Sequence, residues 1–180
     1  MIGDLNTKFR AREQRDYEIL PEGEYNVVVE EINPWEKKTK KNVMIIQRDE
    51  NGYPLKDEKG NIVKEKVEEL TFYLSNVKLR IVDGEYKDRF IFTNLTTHPN
   101  ASFITEGFLY AIGKEELTAN KIPLECVNEY LTVGVNHRTY EKKTINKDTG
   151  LEEVETRTIA NVNNFLKPEF IPAADDNLGL

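Results

Sequence analysis

Cysteine is almost absent: Cys126 stands alone among 180 residues. An intramolecular disulfide framework is therefore excluded, and a reducing, cytoplasmic compartment is the expectation. Histidine is nearly as scarce, at positions 98 and 137 only. Zinc sites draw on clustered Cys and His, and two histidines in different elements do not supply one. Asp49-Glu50-Asn51-Gly52 lacks the ligand spacing and closing Glu of a calcium loop. Phosphate-binding loops, nucleophile elbows and Cys–His pairs are likewise missing. Acid pairs such as Glu68-Glu69 fall on opposite strand faces, which suits solvated residues better than a nuclease centre. The expectation is a protein without catalysis, cofactor or metal. No apolar run approaches the roughly 20 residues of a bilayer span. Met1-Ile2-Gly3-Asp4-Leu5-Asn6 lacks the basic-then-apolar order of a secretory signal, so no membrane partner is expected.

What is present suits a soluble globule: 38% hydrophobic and 32% charged residues, with Val, Ile, Leu and aromatics in regular blocks. The net charge of −7 argues against a nucleic-acid binder, whose footprint is usually basic. Its distribution reopens that class. Acid gathers at Glu65, Glu68 and Glu69, at Glu152, Glu153 and Glu155, and at Asp175 and Asp176. Base gathers elsewhere, most densely at Lys37, Lys38, Lys40 and Lys41.

Three regions follow from the patterning: a polar arm over 1–20, one domain over 21–168, and an acidic tail over 169–180. After the turn Pro21-Glu22-Gly23, Tyr25, Val27 and Val29 alternate with Glu24, Asn26 and Glu30, predicting a half-buried strand that ends near Pro34. Residues 34–42 read as a turn carrying the lysines, and Val43 to Gln47 as the returning strand of a long hairpin. The 48–67 stretch, with Asn51-Gly52 and Lys59-Gly60-Asn61, reads as an excursion with small-hairpin turn signals. Leu70, Phe72 and Leu74 then face one way and Thr71, Tyr73 and Ser75 the other. Leu79 and Ile81 alternate with Lys78 and Arg80 before the turn Asp83-Gly84. Arg89 to Leu95 is another strand, with Phe90 and Phe92 assigned to the core.

Pro99, Ala101, Ile104, Phe108 and Ala111 carry helical spacing up to Gly113, and two short helical turns are predicted at 114–119 and 123–128. Tyr130 to Tyr140 returns to strand, where Gly134 marks a bulge or a close approach. A polar loop over 138–156 leads to a last strand at 157–165. The predicted fold is mainly β. It is an OB-like, five-stranded, partly open barrel with a helical insertion between the third and fourth strands and long hairpin loops.

The string Leu20-Pro21-Glu22-Gly23-Glu24-Tyr25-Asn26-Val27-Val28-Val29-Glu30-Glu31 resembles the opening of a phage-encoded family long catalogued as of unknown function. The resemblance continues through Arg80-Ile81-Val82-Asp83-Gly84-Glu85-Tyr86-Lys87-Asp88-Arg89-Phe90-Ile91-Phe92 and Leu109-Tyr110-Ala111-Ile112-Gly113. It closes with Asn161-Val162-Asn163-Asn164-Phe165-Leu166-Lys167-Pro168. Members accompany phage recombination and replication genes, and some are single-stranded-DNA-binding proteins with an OB fold. The resemblance implies a sequence-tolerant coat for single-stranded DNA in the cytoplasm of a phage-infected bacterium. The acidic and apolar tail over 169–180 resembles in style the partner-recruiting tails of other single-strand binders, which implies phage or host replication and recombination proteins as partners; simple disorder is its alternative. The long 48–67 and 138–156 segments depart from the family pattern.

Single-strand binders combine cations that track phosphates with aromatic faces on which bases stack. Trp35 with Lys37, Lys38, Lys40 and Lys41 supplies both in one segment; its alternative is a solubilising tip anchored by the indole. Tyr73 offers a stacking ring on a polar face, or an ordinary cross-strand partner. Lys78, Arg80, Lys87 and Arg89 are candidates for a phosphate-tracking stripe, against plain surface charge. Arg138, Tyr140, Lys142 and Lys143 repeat the basic–aromatic mixture beside the second long loop, a position that borders the ligand in OB folds. The competing function is a β-barrel module that binds another protein.

Overall fold

The computed structural model describes residues 18–145, 147 and 150–169. Both the bulk of the proposed N-terminal arm and the tail after Glu169 lie outside the described residues. Among the described residues, six strands and two short helices follow in the order β1 (Gly23–Ile32), β2 (Glu36–Ile46), β3 (Lys64–Ile81), β4 (Phe90–Thr96), α1 (Ser102–Ala111), α2 (Ile122–Glu125), β5 (Tyr130–Ile145) and β6 (Glu152–Leu166), with a 3-10 turn at Ala119–Lys121. All pairings are antiparallel.

β1 lies at the centre because its residues can be buried on both sides. Val27, Val28 and Val29 are all buried between β3 and β5. Leu79 and Ile81 of β3, Ile91 and Leu95 of β4, and Leu131, Val133 and Val135 of β5 complete the core around them. Each such side chain contributes about 1.5–3 kcal/mol when withdrawn from water. Helix α1 closes one end of this core with Phe108 and Ala111, and the Phe108 ring meets Phe165 of β6 edge-on at 5.7 Å. The Thr105 hydroxyl ties α1 to the end of β4, accepting from the Thr96 amide and donating to the Thr96 carbonyl, both at 2.9 Å. Gly113, at φ +75°, then turns the chain out of the helix in a conformation that side chains disfavour.

The registers correct the expected β1–β2 hairpin. β1 pairs from Val27↔Ile81 to Ile32↔Val77, and β2 continues from Glu36↔Leu74 to Ile46↔Lys64. The two strands thus follow one another along β3 instead of folding back on each other, interrupted only by Asn33-Pro34-Trp35. The lysine run is consequently strand, not turn: its backbone is held by the ladder to β3. Beyond it, the bridges Arg48↔Pro54 and Lys56↔Ile62 organise residues 48–63 as a small hairpin-like excursion. Taken together, β1 and β2 are one interrupted strand, and the count becomes five in OB-like connectivity: first with second, second with third, helix, first with fourth, fourth with fifth. Among the described residues no ladder joins β4 to β6, which lie side by side, so the barrel stays partly open.

Three further expectations change. The 138–156 loop is mostly strand, because β5 and β6 stay paired from Thr132↔Leu166 out to Ile145↔Glu152. The first predicted helical turn, at 114–119, is displaced to Ala119–Lys121. Phe90 and Phe92 are not core: Ile91 between them is buried, which turns both phenylalanines outward. Gly134 does mark a bulge, since its partner is Asn164 whereas Val135 pairs with Val162, leaving Asn163 as the extra residue. A Cβ at position 134 would overlap the amide ends of both asparagines.

Candidate nucleic-acid interface

Alternate residues of a strand share one face, so the outward face of β3–β4 is built from three cross-strand pairs: Asn76↔Asn94, Lys78↔Phe92 and Arg80↔Phe90. Phe92 is 65% exposed and Phe90 44%. The Lys78 ammonium lies 4.2 Å from the centroid of Phe90, within cation–π range. Two phenylalanines bared on one strand, with a cation over one of them, form an exposed aromatic surface outside the core.

The neighbouring charges are less uniform than the sequence suggests. Arg80 is held by Glu30 at 3.0 Å and Asp88 at 3.3 Å, and the bond to Glu30 is the main reason its proton is held more tightly than usual. Arg89 has the opposite parity from Arg80. It donates to the Glu18 carbonyl at 2.6 Å and lies 5.5 Å from the Tyr86 ring. Lys87 is exposed in the β3–β4 turn. Lys78, Arg80, Lys87 and Arg89 therefore do not form a single stripe.

On the β2–β3 arm the lysine run divides by parity. Lys38 pairs with Phe72 and Lys40 with Leu70, whereas Lys37 opposes Tyr73 and Lys41 opposes Glu69 on the other face. Lys38 and Lys40 line a pocket of about 390 Å³ with Phe72, Thr96 and His98. The Lys40 ammonium is 5.7 Å from the Phe72 ring, which itself meets His98 edge-on at 4.8 Å. Lys38 is also bonded to Glu36 at 2.6 Å. Burial and, secondarily, Lys40 push the His98 pKa down. Tyr73 is partly exposed. Trp35 is half-buried against the core, and its indole N–H donates to the Ala119 carbonyl, so this ring braces the junction of β1 and β2.

The second arm, the outer part of β5–β6, carries Arg138, Tyr140 and Lys142 on one face, opposite Ile159, Arg157 and Glu155. Lys143 points to the other face and pairs with Glu152 at 2.9 Å. Arg138 is the member that reaches the barrel. It lines a cleft of about 670 Å³ with Phe92 and Asn94 of β4, Phe103 of α1, and Ile159 and Asn161 of β6. The open seam between β4 and β6 thus joins the Phe90–Phe92 face to the second arm.

Reading the sequence alone missed Phe90, Phe92, Phe103 and Asn94. The alternation at Phe90-Ile91-Phe92 is visible in the sequence, but its phase is not. Among the described residues no group of three or more His, Cys, Asp or Glu is placed to hold a metal ion, and no helix is long and apolar enough to cross a membrane.

No protein-family model matches the chain, and no curated protein does. Among solved structures, yeast RPA bound to ssDNA aligns over 89% of this chain and 84% of its own, with 9% identity and a TM-score of 0.36.

Proposed function

We propose that this protein binds single-stranded DNA across the outward face of β3–β4, between the β2–β3 and β5–β6 arms. The observation that carries the reading is the exposure of Phe90 and Phe92 side by side with Lys78 seated over one ring. Bases stack on such rings with little regard to identity. The face is also the one that OB-type barrels offer to oligonucleotides, flanked by the loops that correspond here to the two arms. Lys38 and Lys40 on one arm and Arg138 on the other supply cations at either end. The net charge of −7 does not oppose this, since binding depends on charge within about a Debye length of the phosphates. The proposed action is reversible coating with no bond made or broken. Its setting in phage replication or recombination, in the bacterial cytoplasm, rests on the sequence resemblance.

Titrating a labelled oligo-dT against a duplex of equal length, at low and moderate salt, tests the reading. Single-strand binding that weakens steeply with salt and exceeds duplex binding is the expected result. Absence of binding at low salt, or equal affinity for the duplex, defeats it and leaves the protein-binding module as the better account.

A further inference from the structure

The seam where the barrel fails to close is lined differently from the stacking face beside it. Along β6, Asn161, Asn163 and Asn164 follow one another almost without interruption, and all three line the cleft together with Asn94 across from them. Gly134 is what admits two of these side chains, because a Cβ there would overlap the amide ends of Asn163 and Asn164. Asn161 donates to Asn136 at 3.3 Å and to the Val162 carbonyl at 3.2 Å, which leaves its own carbonyl oxygen as an acceptor. Phe103, 61% exposed on α1, lines the same cleft as Phe92. An exposed phenylalanine on a helix that has already buried Phe108 and Ala111 adds nothing to the core.

We infer that this cleft is a base-binding subsite, in which a base turned in from the Phe90–Phe92 face lies against Phe103 and has its edge hydrogen-bonded by the asparagine amides. The inference rests on the single-stranded-DNA reading above and refines it. Each nucleobase presents a hydrogen-bond donor and acceptor side by side, or an acceptor with an adjacent amino group. An asparagine amide carries both functions and exchanges them by a half-turn of its terminal torsion. Asn94, exposed on β4, can turn in this way, while Asn161, its NH2 engaged, offers a fixed acceptor in the same cleft, so base edges of either kind are met with little selection among bases. A purely aromatic cleft gives no edge contact, and fixed arginines would select guanine. The amide-lined cleft thus makes binding dependent on the presence of a base and indifferent to which base it is.

The test uses the full chain and four strands of equal length: oligo-dT, oligo-dA, oligo-dC and an abasic sugar-phosphate strand. Phe103→Ala and Asn94→Ala change exposed groups outside the core, and a melting curve confirms that each variant is folded. The expected result is a loss of at least about fivefold and up to about 150-fold for Phe103→Ala, the scale of one stacked base. A smaller loss is expected for Asn94→Ala. Both losses should be similar on dT, dA and dC and absent on the abasic strand. Unchanged affinity in both variants, with Phe90→Ala and Phe92→Ala still weakening binding, overturns the subsite and leaves the wider function standing. Equal losses on the abasic strand overturn it as well, because the residues would then act on backbone or fold. Failure of the unaltered protein to bind any strand removes the function and the subsite together.

Discussion

The ammonium of Lys78 sits over the ring of Phe90, 4.2 Å from its centroid, although the direct cross-strand partner of Lys78 is Phe92. The side chain leans diagonally, one pair along β4, and diagonal neighbours in a sheet are within reach of a long side chain. The lean leaves the Phe92 ring bare while the cation marks the adjacent ring. A strand of nucleic acid laid on this face meets an open aromatic surface and a positive charge in consecutive positions.

Replacing the two rings should separate binding from stability. Phe90→Ala and Phe92→Ala are each expected to weaken oligo-dT binding by about 1–3 kcal/mol. As surface changes they should shift unfolding free energy by no more than about 0.5 kcal/mol. Ile91→Ala, between them, should do the reverse, lowering stability by about 2–5 kcal/mol through an internal cavity. Fluorescence titration and denaturant melts on the three variants check this. A large loss of stability at Phe92 would mean that the outward assignment is wrong.

Removing charge should leave a different mark from removing rings. Lys38→Gln, Lys40→Gln and Arg138→Gln in combination should flatten the dependence of log affinity on log salt by about 0.7 for each phosphate no longer neutralised. Affinity measured over a salt series reads this directly, and an unaltered slope would show that these three cations lie off the path of the strand.

How much of this was legible beforehand depended on whether a strand had a wet face and a dry one. β4 and the inner half of β3 each have one wet and one dry face, and β1 alternates in part although its central valines are buried on both sides, so the positions of all three were recovered. Lys37 to Lys41 and Arg138 to Ile145 show no apolar alternation, since the arms are exposed on both faces. What makes them strands is the ladder to a partner far away in sequence, a tertiary cause that local propensity cannot register. The bulge at Gly134 was readable from the glycine. Its reason, the two asparagine amides packed over it, was not. The helix was found from its spacing, whereas Phe103 on its outer side carried no sign of facing a cleft.

Gly134→Ala should be costly out of proportion to one methyl group. The new Cβ displaces the amide ends of Asn163 and Asn164, and overpacking of this kind costs about 1–3 kcal/mol. The double variant Gly134→Ala/Asn164→Ala should recover part of the loss, a coupling that a thermodynamic cycle measures. Strict additivity would show that the glycine serves the backbone alone.

Cys126 is fully buried, and burial pushes its thiol pKa up to about 11. Since the thiolate is the reactive form, an aromatic disulfide reagent should label the native protein very slowly at neutral pH and rapidly in denaturant. Prompt stoichiometric labelling without denaturant would contradict the packing around α2.

His98 should lend the fold a modest dependence on pH. Its pKa is lowered from the ordinary 6.5, first by burial and then by Lys40. Below that value the unfolded chain takes up the proton before the folded one, so stability falls as pH drops from 6.5 toward the folded pKa. His98→Gln should remove this portion of the decline, and urea melts across the acid range will show whether it does.

β3 runs without a break through both the barrel and the first arm, pairing with β2 over its outer half and with β1 and β4 over its inner half. The arm is therefore a cantilever fixed in the core, not a loop tethered at its ends. The backbone that carries its lysines is brought to order when the barrel folds, so little backbone entropy remains to be lost when a ligand arrives. The same rigidity fixes the spacing between the Lys38–Lys40 pocket and the Phe90–Phe92 face, so under the proposed function the arm would act as a ruler for the strand between them.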